Sequence, residues 1–377
     1  MYTQLLTLAA AVIQKSNRER PADGELRAAL KSQGGLSRDD SWRVSRAVFA
    51  YYRWLGWLDR RNPLPFQIEQ GLELAEAFAN EPKRFSDDQL VERAAPAWVK
   101  SEMEASPAWA RAIQSEPKLW LRARPGQGRA LAAKLGDCIS FGAGPLADAL
   151  EYRGTQDLFR TPEFHAGEFE LQDISSQAAG IVCAAAPGQT WWDACAGEGG
   201  KTLQLSDLME NKGMIWASDR AEWRLRKLKQ RTARARVFNY RTALWNGGPK
   251  LPTRTKFDGV LVDAPCSGIG TWQRNPHARW TTTARDISEL SALQTDLLLN
   301  AAASVKPGGR MIYSVCTLAR SETIEVAAAF EKQSPGFERL EASHPLEAKS
   351  SKATEFCLWP QDLGGNGMFI ALWKKKP

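Results

Sequence analysis

Two cysteines stand at the ends of apolar runs that have the composition of buried strands. Cys266 lies in the segment DAPCSG, residues 263–268, and Cys316 lies in YSVCTL, residues 313–318. If the two runs are neighbouring strands of one parallel sheet, both thiols lie at its carboxyl edge and face one cleft. Such a pair suits a reaction in which one sulfur attacks a substrate and a second group helps it leave.

A tight turn of small residues indicates a nucleoside site. The segment DACAGEGGKT, residues 193–202, joins a strand to a helix, and such a turn lets backbone N–H groups approach a ligand closely. A Walker A loop needs glycine five positions before Gly200, where Cys195 stands, so the pattern disfavours an NTPase. The next strand ends in Asp219, where an acid is placed to accept hydrogen bonds from ribose hydroxyls. The spacing predicts nucleoside binding without identifying the nucleoside.

From residue 166 onward, strands and helices alternate in the manner of a doubly wound α/β, Rossmann-like domain. The strands are predicted at 190–194, 214–218, 237–238, 257–264 and 310–315, with a last strand from 368. The main crossover helices are predicted at 286–305 and 321–333. Because the third strand is placed at 237–238, Asn239 becomes the residue that follows it.

Two regions precede this domain. Residues 1–95 have helical periodicity, and packing between helices is favoured over stacking on RNA for Trp54 and Trp57. Residues 96–165 are typical of a small α+β subdomain that binds RNA. We therefore expect three domains, at 1–95, 96–165 and 166–377.

The composition is that of a globular protein with a basic excess. Of 377 residues 43% are apolar, and 50 Lys and Arg against 43 Asp and Glu give a net charge of +7, which favours a polyanionic partner. The six cysteines form neither a CxxC metal knuckle nor a dense disulfide scaffold, so no metal is expected. The N-terminus lacks the pattern of a secretory signal and no stretch is long enough to span a membrane. We expect a monomer in a reducing cytoplasm, without a membrane partner.

The successive motifs resemble those of one enzyme family. The RsmB/NSUN (Fmu/Sun) family of S-adenosylmethionine-dependent RNA cytosine-5 methyltransferases has motifs similar to DACAGEGGKT, SDRAEWRLRKL, FDGVLVDAPCSGIGTWQRNPHARW, QTDLLLNAAASVKPGGRMIYSVCTLARSE and GNGMFIALWKK. The resemblance covers about residues 173–374 and is weaker over 96–165. Residues 1–90 are similar only to the helical NusB-like extension of some bacterial members.

The resemblance implies a covalent mechanism. Cys316 would add to carbon 6 of a cytosine, which makes carbon 5 electron-rich enough to accept a methyl group from S-adenosylmethionine. Asp263 would hold the ring near nitrogen 3, with Lys201 close to both. Cys266 would assist release after methyl transfer, when the remaining hydrogen on carbon 5 must be lost to break the bond to sulfur.

The resemblance also implies a cofactor site at the same edge. Asp219 would bind the cofactor ribose, Asp193 with Gly199 would line the amino-acid end, and Arg224 corresponds to a basic residue one helical turn after the ribose acid. The full predicted set of cofactor-binding residues is Asp193, Cys195, Ala196, Gly197, Gly199, Lys201, Asp219, Arg224, Asn239 and Asp263.

Four positions depart from the usual family pattern. Gly197 and Glu198 stand where alanine and proline are usual, and the effect of this acidic side chain on cofactor affinity is open. Asn239 replaces a common aspartate, and Val315 replaces the threonine that often precedes the nucleophile. None of these removes a group that the implied chemistry needs.

Two basic segments are candidates for contact with RNA. One helical stripe contains Arg220, Arg224, Lys227, Arg231 and Arg234. Except at Arg224, a solvated outer face explains it at least as well as an RNA track. The loop WQRNPHARW, residues 272–280, alternates aromatic and basic groups, and we expect it to stack on a base splayed from its helix.

Ribosomal RNA is the expected substrate and tRNA is an alternative. A DNA cytosine-5 methyltransferase would take its nucleophile from Pro-Cys-Gln after the fourth strand, whereas this chain has Pro-Cys-Ser there and a second cysteine after the fifth strand. The remaining alternative is a catalytically silent ribosome-assembly factor that binds RNA. The presence of all four implied catalytic residues disfavours it.

Overall fold

The computed structural model describes residues 2–141, 144–347 and 351–377. The chain forms two compact units, which we call the helical unit and the sheet unit. The helical unit comprises residues 1–117, 267–286 and 359–364. The sheet unit comprises residues 118–266, 287–358 and 365–377. These units differ from the three expected domains, because 96–117 group with the helices and the following α+β segment groups with the large sheet.

The described helices range from single turns of four residues to one of 19 residues. In chain order they are α1 (Tyr2–Lys15), α2 (Ala22–Ser32), α3 (Arg38–Arg53), α4 (Leu64–Asn80), α5 (Asp87–Arg93), α6 (Val99–Glu102), α7 (Pro107–Gln114), α8 (Gly128–Leu135), α9 (Pro162–His165), α10 (Ile174–Cys183), α11 (Gly200–Leu208), α12 (Glu222–Arg234), α13 (Ala278–Thr281), α14 (Ala284–Ala302), α15 (Ile324–Gln333) and α16 (Pro360–Leu363). Among the described helices, none combines the length and the hydropathy that a membrane span requires.

Helix α3 shows how the helical unit is held together. The helix begins after Ser37, whose hydroxyl accepts a hydrogen bond from the Asp40 backbone N–H at 3.0 Å. Val44, Val48 and Tyr51 recur at helical spacing and are buried in the apolar core. Burial of each of the two valine side chains contributes about 1.5–3 kcal/mol, so this face fixes the helix against its neighbours.

Residues 267–286 leave the sheet unit and pack within the helical unit. Arg279 is fully buried there, and its guanidinium donates to the carbonyls of Arg53, Ala94 and Ile113 at 2.7–3.2 Å. These carbonyls compensate much of the cost of burying the charge. The Trp280 indole N–H donates to another backbone carbonyl of α3, that of Tyr52, at 2.7 Å.

This packing corrects the prediction for the loop WQRNPHARW. Trp272 and Arg279 are 0% exposed, and His277 is buried edge-on against the Tyr52 ring. These side chains cannot stack on a base, because they form the interior of the helical unit. Within the segment only Arg274 is exposed to solvent.

The described strands form a small antiparallel sheet, a large mixed sheet and an antiparallel pair made of β11 and β12. In chain order they are β1 (Leu119–Ala123), β2 (Cys138–Ser140), β3 (Ala149–Tyr152), β4 (Phe169–Leu171), β5 (Thr190–Asp193), β6 (Met214–Asp219), β7 (Tyr240–Leu244), β8 (Phe257–Asp263), β9 (Val305–Val315), β10 (Phe337–Arg339), β11 (Ala342–Ser343), β12 (Lys352–Ala353), β13 (Glu355–Leu358) and β14 (Met368–Lys375). The small sheet has the order β2-β3-β1-β4, and the large one β10-β14-β9-β8-β5-β6-β7 with β13 on β14.

The large sheet confirms the predicted Rossmann-like architecture. Strands β5 to β9 are parallel, and the order reverses between β5 and β8, which leaves a crevice at the carboxyl ends of these two strands. Val260, Leu261 and Val262 of β8 are all fully buried, as expected for a central strand covered on both faces. Strand β14 extends the sheet by antiparallel pairing with β9.

Candidate active site

A cavity of about 430 Å³ lies in the sheet unit, where β5, β6, β7, β8 and β9 end. The predicted site residues that line it are Asp193, Cys195, Ala196, Gly197, Lys201, Asp219, Arg224, Asp263, Cys266 and Cys316. One cavity thus contains the nucleoside candidates and both thiols. Its volume is in the range of sites that bind small molecules or cofactors.

The two cysteines occupy adjacent strand ends. Strand β8 ends at Asp263 and β9 ends at Val315, and the parallel register places Asp263 opposite Ser314. The Sγ atoms of Cys266 and Cys316 are 3.4 Å apart, well beyond the S–S bond length of about 2.05 Å. The predicted juxtaposition of the thiols is therefore present in the fold.

Asp263 is held by two donors beside the thiols. The Lys201 Nζ lies 2.7 Å from Oδ2, and the Ser314 hydroxyl donates to Oδ1 at 2.7 Å. Burial alone would lower the pKa of Lys201, but the Asp263 carboxylate outweighs it and the pKa is raised. Lys201 is therefore an ammonium at neutral pH. Together with the Ser314 hydroxyl it fixes the Asp263 side chain in one orientation.

The loop after β5 depends on two glycines with left-handed backbone. Gly197 has φ +55° and Gly199 has φ +90°, a region that other residues rarely adopt. A Cβ on Gly199 would lie 2.7 Å from Cγ of Leu228, so the packing of α12 also requires glycine. Gly199 does not line the cavity; it shapes the loop at the start of α11.

Asp193 carries a carboxylate oxygen that the protein leaves unsatisfied. The residue is fully buried; Oδ2 accepts from the Thr202 hydroxyl at 2.6 Å, and Oδ1 has no hydrogen-bond partner within the described chain. Burial raises the pKa of Asp193 to about 7, against the opposing effect of the Thr202 hydrogen bond. A buried acceptor that lines a cavity without a partner indicates a place for a ligand donor.

Asp219 is positioned by the backbone of the same loop. Its Oδ2 accepts from the Gly197 N–H at 3.1 Å and its Oδ1 accepts from the Ala221 N–H at 2.8 Å. Each carboxylate oxygen has a second lone pair with which it can accept from a ligand hydroxyl. Arg224 approaches Asp219 at 3.7 Å and remains 43% exposed.

Neighbouring residues account for the charge of Glu198 and for the protonation of Cys195, two other side chains of this loop. Glu198, the acidic departure from the family pattern, forms an ion pair with Lys227 of α12 at 2.8 Å, so its charge is compensated beside the cavity. Burial raises the pKa of the Cys195 thiol well above its usual value. Cys195 is thus held as a neutral thiol in the wall of the site.

The structure does not bring Asn239 to the cavity. The third strand is β7 rather than residues 237–238, so Asn239 precedes it at its amino end. There the Asn239 side chain accepts from the Ser206 hydroxyl and donates to the Lys212 carbonyl. Asn246, which follows β7 at the carboxyl end, lines the cavity instead.

Comparison with known proteins places these residues in a family. Residues 181–374, more than half of the chain, match the family model described as 16S rRNA methyltransferase RsmB/F. The chain belongs to this RsmB/F family. The match begins within α10 and contains every strand of the parallel sheet together with both thiols.

Individual relatives of this RsmB/F chain agree with that assignment. It is 35% identical over 227 residues to the probable ribosomal RNA small subunit methyltransferase B of Synechocystis sp., covering 59% of this chain and 51% of that protein. The chain spans about half the length of the curated relatives it matches.

Two solved structures show the same fold. The crystal structure of PH0851 has a TM-score of 0.79 at 21% identity and covers 98% of this chain and 97% of that chain. The crystal structure of NSun6 from Pyrococcus horikoshii with SFG has a TM-score of 0.64 at 19% identity, covering 73% and 94%.

The basic stripe of α12 is largely neutralised within this RsmB/F chain. Arg231 and Arg234 both pair with the buried carboxylate of Glu170, and Arg234 also lies over the Phe164 ring. With Lys227 on Glu198, these contacts support the structural interpretation of the stripe rather than an RNA track.

A buried polar network lies behind the thiol loops of the RsmB/F site, and the sequence did not predict it. The Gln294 amide of α14 donates to the Pro265 carbonyl at 2.9 Å and to Oε1 of Glu322 at 3.0 Å. The other Glu322 oxygen accepts from the Thr317 hydroxyl at 3.0 Å. Gln294, Thr317 and Glu322 are all 0% exposed.

This network connects the two thiols through their neighbours. Pro265 precedes Cys266 and Thr317 follows Cys316, so Gln294 and Glu322 together tie one loop to the other. Because a network in which every member is hydrogen-bonded is rigid, we expect it to help fix the separation of the two sulfurs.

We expect Gln294→Ala to slow a reaction that uses the two thiols without weakening binding at the protein surface, because the thiol loops lose their connection while the surface does not change. Loss of the buried amide also lowers the free energy of unfolding by about 1–3 kcal/mol. Urea denaturation measures the loss of stability, and the kcat of the methyl transfer proposed below measures the loss of activity. Gln333→Ala, an exposed glutamine on α15, is the matched control, and equal kcat for both variants would contradict the role of the network.

Proposed function

We propose that this chain is an RNA cytosine-5 methyltransferase that uses S-adenosylmethionine and acts on ribosomal RNA. The observation that carries the proposal is the pair of thiols, 3.4 Å apart, beside Asp263 and Lys201 in one cavity. Membership of the 16S rRNA methyltransferase RsmB/F family supports this substrate class. Because the chemistry requires reduced thiols, we place the protein in the cytoplasm.

In this proposal Cys316 is the nucleophile. Its thiolate forms a bond to carbon 6 of the cytosine, and the electron pair of the 5,6 double bond moves to carbon 5. The Lys201 ammonium interacts electrostatically with Cys316, and a positive charge beside a thiol favours the thiolate. Asp263, held by Lys201 and Ser314, is oriented to bind the ring near nitrogen 3.

Cys266 completes the cycle by accepting a proton. After methylation, carbon 5 still carries its hydrogen, and the bond between sulfur and carbon 6 breaks only when that hydrogen leaves as a proton. The Cys266 thiolate takes it, the double bond forms again, and Cys316 leaves as a thiolate. The 3.4 Å separation supports this division of roles, since both sulfurs must reach adjacent carbons of one ring.

The remainder of the cavity fits S-adenosylmethionine, which supplies an electrophilic methyl group on a sulfonium sulfur. The unsatisfied Oδ1 of Asp193 suits the ammonium group of the amino-acid end. Asp219 suits the ribose hydroxyls. Leu293, Leu297 and Asn246 add apolar and amide surface to the same cavity.

The proposal is tested by incubating the full chain with labelled S-adenosylmethionine and either small-subunit rRNA or tRNA, followed by nuclease digestion. Label in 5-methylcytidine from rRNA supports the proposal in full. Label in 5-methylcytidine from tRNA alone would show that the substrate is tRNA rather than rRNA. RNA binding without label in any nucleoside contradicts the enzyme and favours a silent assembly factor.

The raised pKa of Asp193 predicts a pH dependence. Since its pKa of about 7 lies above that of an ordinary Asp, the folded protein holds an extra proton between about pH 4 and 7, and the unfolding free energy falls as pH rises through that window. A ligand ammonium requires the ionised carboxylate, so affinity is expected to fall up to about tenfold per unit below pH 7. Calorimetric titration with S-adenosylhomocysteine from about pH 5.5 to 8 measures this. Asp193→Asn should bind S-adenosylhomocysteine weakly, and its affinity should not fall below pH 7. If the affinity of that variant still falls below pH 7, Asp193 is excluded as the source of the pH dependence.

A further inference from the structure

A second cavity, of about 540 Å³, lies within the helical unit and takes no part in the chemistry proposed above. Helix α3 supplies one wall, with Trp42, Arg46, Phe49 and Arg53, and residues 271–275 supply another. All of its lining residues belong to the helical unit. Its contents are therefore a question separate from the cavity at the sheet edge.

Two arginines in this cavity have donors that the protein does not use. Arg53 is only 5% exposed; one terminal nitrogen donates to the Gln273 carbonyl at 3.1 Å, but its buried Nε has no partner within the described chain. The buried Nε of Arg46 likewise has no hydrogen-bond partner among the described residues, because the nearest oxygen of Glu116 lies 3.7 Å away. Unsatisfied guanidinium donors in a cavity wall indicate an anionic ligand.

The same cavity presents an aromatic surface to solvent. Trp42 is 55% exposed although it is a large apolar side chain, and the Arg46 guanidinium lies 5.4 Å from its ring centroid. Phe49, two turns further along the helix, is half-buried in the wall. An exposed indole beside a guanidinium is suited to stacking a base.

The charges of the lining favour an anion. Arg46, Arg53 and Arg274 outnumber the acids Asp23 and Glu116, so the cavity has a net positive charge. Burial lowers the pKa of Arg53 to about 10, which leaves it charged at neutral pH. A nucleotide of RNA combines one phosphate with one adjacent base, which matches guanidinium donors next to an exposed ring.

We propose that this cavity binds one nucleotide of single-stranded RNA, with its phosphate on Arg46 and Arg53 and its base on Trp42. The inference takes RNA as the ligand class from the proposed function, but it concerns a different site. It assigns an RNA-contacting role to α3 and to the exposed Arg274, whereas the buried residues of the WQRNPHARW loop do not line the cavity.

Fluorescence anisotropy with a labelled single-stranded RNA of roughly ten nucleotides tests the proposal on the full chain without cofactor. Trp42→Ala is expected to weaken binding at least about fivefold with an unchanged salt dependence, since it removes stacking and no charge. Arg46→Gln is expected to reduce the slope of log K against log salt by about 0.7, the value for one phosphate of a single strand. Thermal unfolding confirms that each variant is folded.

Matched controls are Phe66→Ala, a 53% exposed aromatic on α4, and Arg61→Gln, whose side chain is 90% exposed. Neither residue lines the cavity, and both variants should bind as the unaltered chain does. Equal affinities of the Trp42 and Arg46 variants and their controls would overturn the proposal. A second result would also overturn it: the Trp42 and Arg46 variants bind a polyglutamate probe more weakly than the unaltered chain but bind RNA equally well. That result would indicate an acidic protein partner.

The outcome is separable from that of the methylation assay. If RNA binding depends on Trp42 while no 5-methylcytidine forms, the nucleotide site stands and the proposed enzyme fails. If 5-methylcytidine forms and the Trp42 variant binds normally, the enzyme stands and this site is refuted.

Discussion

Cys316→Ala is expected to abolish methyl transfer, lowering the rate by at least about 10³-fold, because the variant lacks the sulfur that forms the bond to carbon 6. The variant should also form no covalent complex with RNA. Incorporation of label from S-adenosylmethionine measures the first effect, and a denaturing gel measures the second. Cofactor affinity should stay near that of the unaltered chain, since the carboxylates of Asp193 and Asp219 are retained.

The matched control is Cys357→Ala, which removes an exposed thiol on β13 outside the cavity. It should methylate normally. Substantial methylation by Cys316→Ala, or equal losses in both variants, would contradict the assignment of the nucleophile.

Cys266→Ala is expected to behave in the opposite way on the gel. The first turnover proceeds through methylation, but the proton on carbon 5 has no acceptor, so protein stays bonded to RNA as a band that resists denaturant. Steady-state turnover should fall at least about 100-fold, the usual lower range for loss of general acid–base catalysis. Quantifying the shifted band against time measures the trapped fraction.

The double variant Cys266→Ala with Cys316→Ala provides the control for this result. It should show no shifted band, because the bond that is trapped belongs to Cys316. Identical gels for the two single variants would refute the division of labour between the thiols.

The position of the thiols is predictable from the sequence because it rests on two local rules. Each cysteine follows a continuous apolar run, and the carboxyl ends of parallel strands share one edge. The same reasoning locates Asp263 and Asp219, since both end such runs. Residues that meet because they end neighbouring parallel strands can therefore be identified from the order of apolar runs along the chain.

Strand β7 is hard to predict because it lies at the edge of the sheet. Its sequence, YRTAL, is polar and only partly buried, so no apolar run marks it. A strand placed three residues too early makes Asn239 the strand-end candidate. The turn sequence Asn246-Gly247-Gly248, which follows β7, is the available indication of where the strand ends.

The prediction for the loop WQRNPHARW is wrong because composition does not distinguish a buried arginine from one that binds RNA. The buried Arg279 guanidinium donates to carbonyls from three separate segments, and no local pattern shows that these carbonyls converge. The hydrogen bond between Gln294 and Glu322 was not predicted for the same reason. It joins residues 28 positions apart through a bond that exists only in the folded chain.

In the proposed reaction the sulfur of Cys316 becomes bonded to the cytosine ring. The most direct measurement uses substrate RNA containing 5-fluorocytidine, because fluorine cannot leave carbon 5 as a cation and the adduct persists. Protein incubated with this RNA and S-adenosylmethionine is digested, and the cross-linked peptide is identified by mass spectrometry. We predict that the nucleotide is attached to Cys316. Attachment to Cys266, or the absence of any adduct while 5-methylcytidine forms on ordinary RNA, would contradict the account.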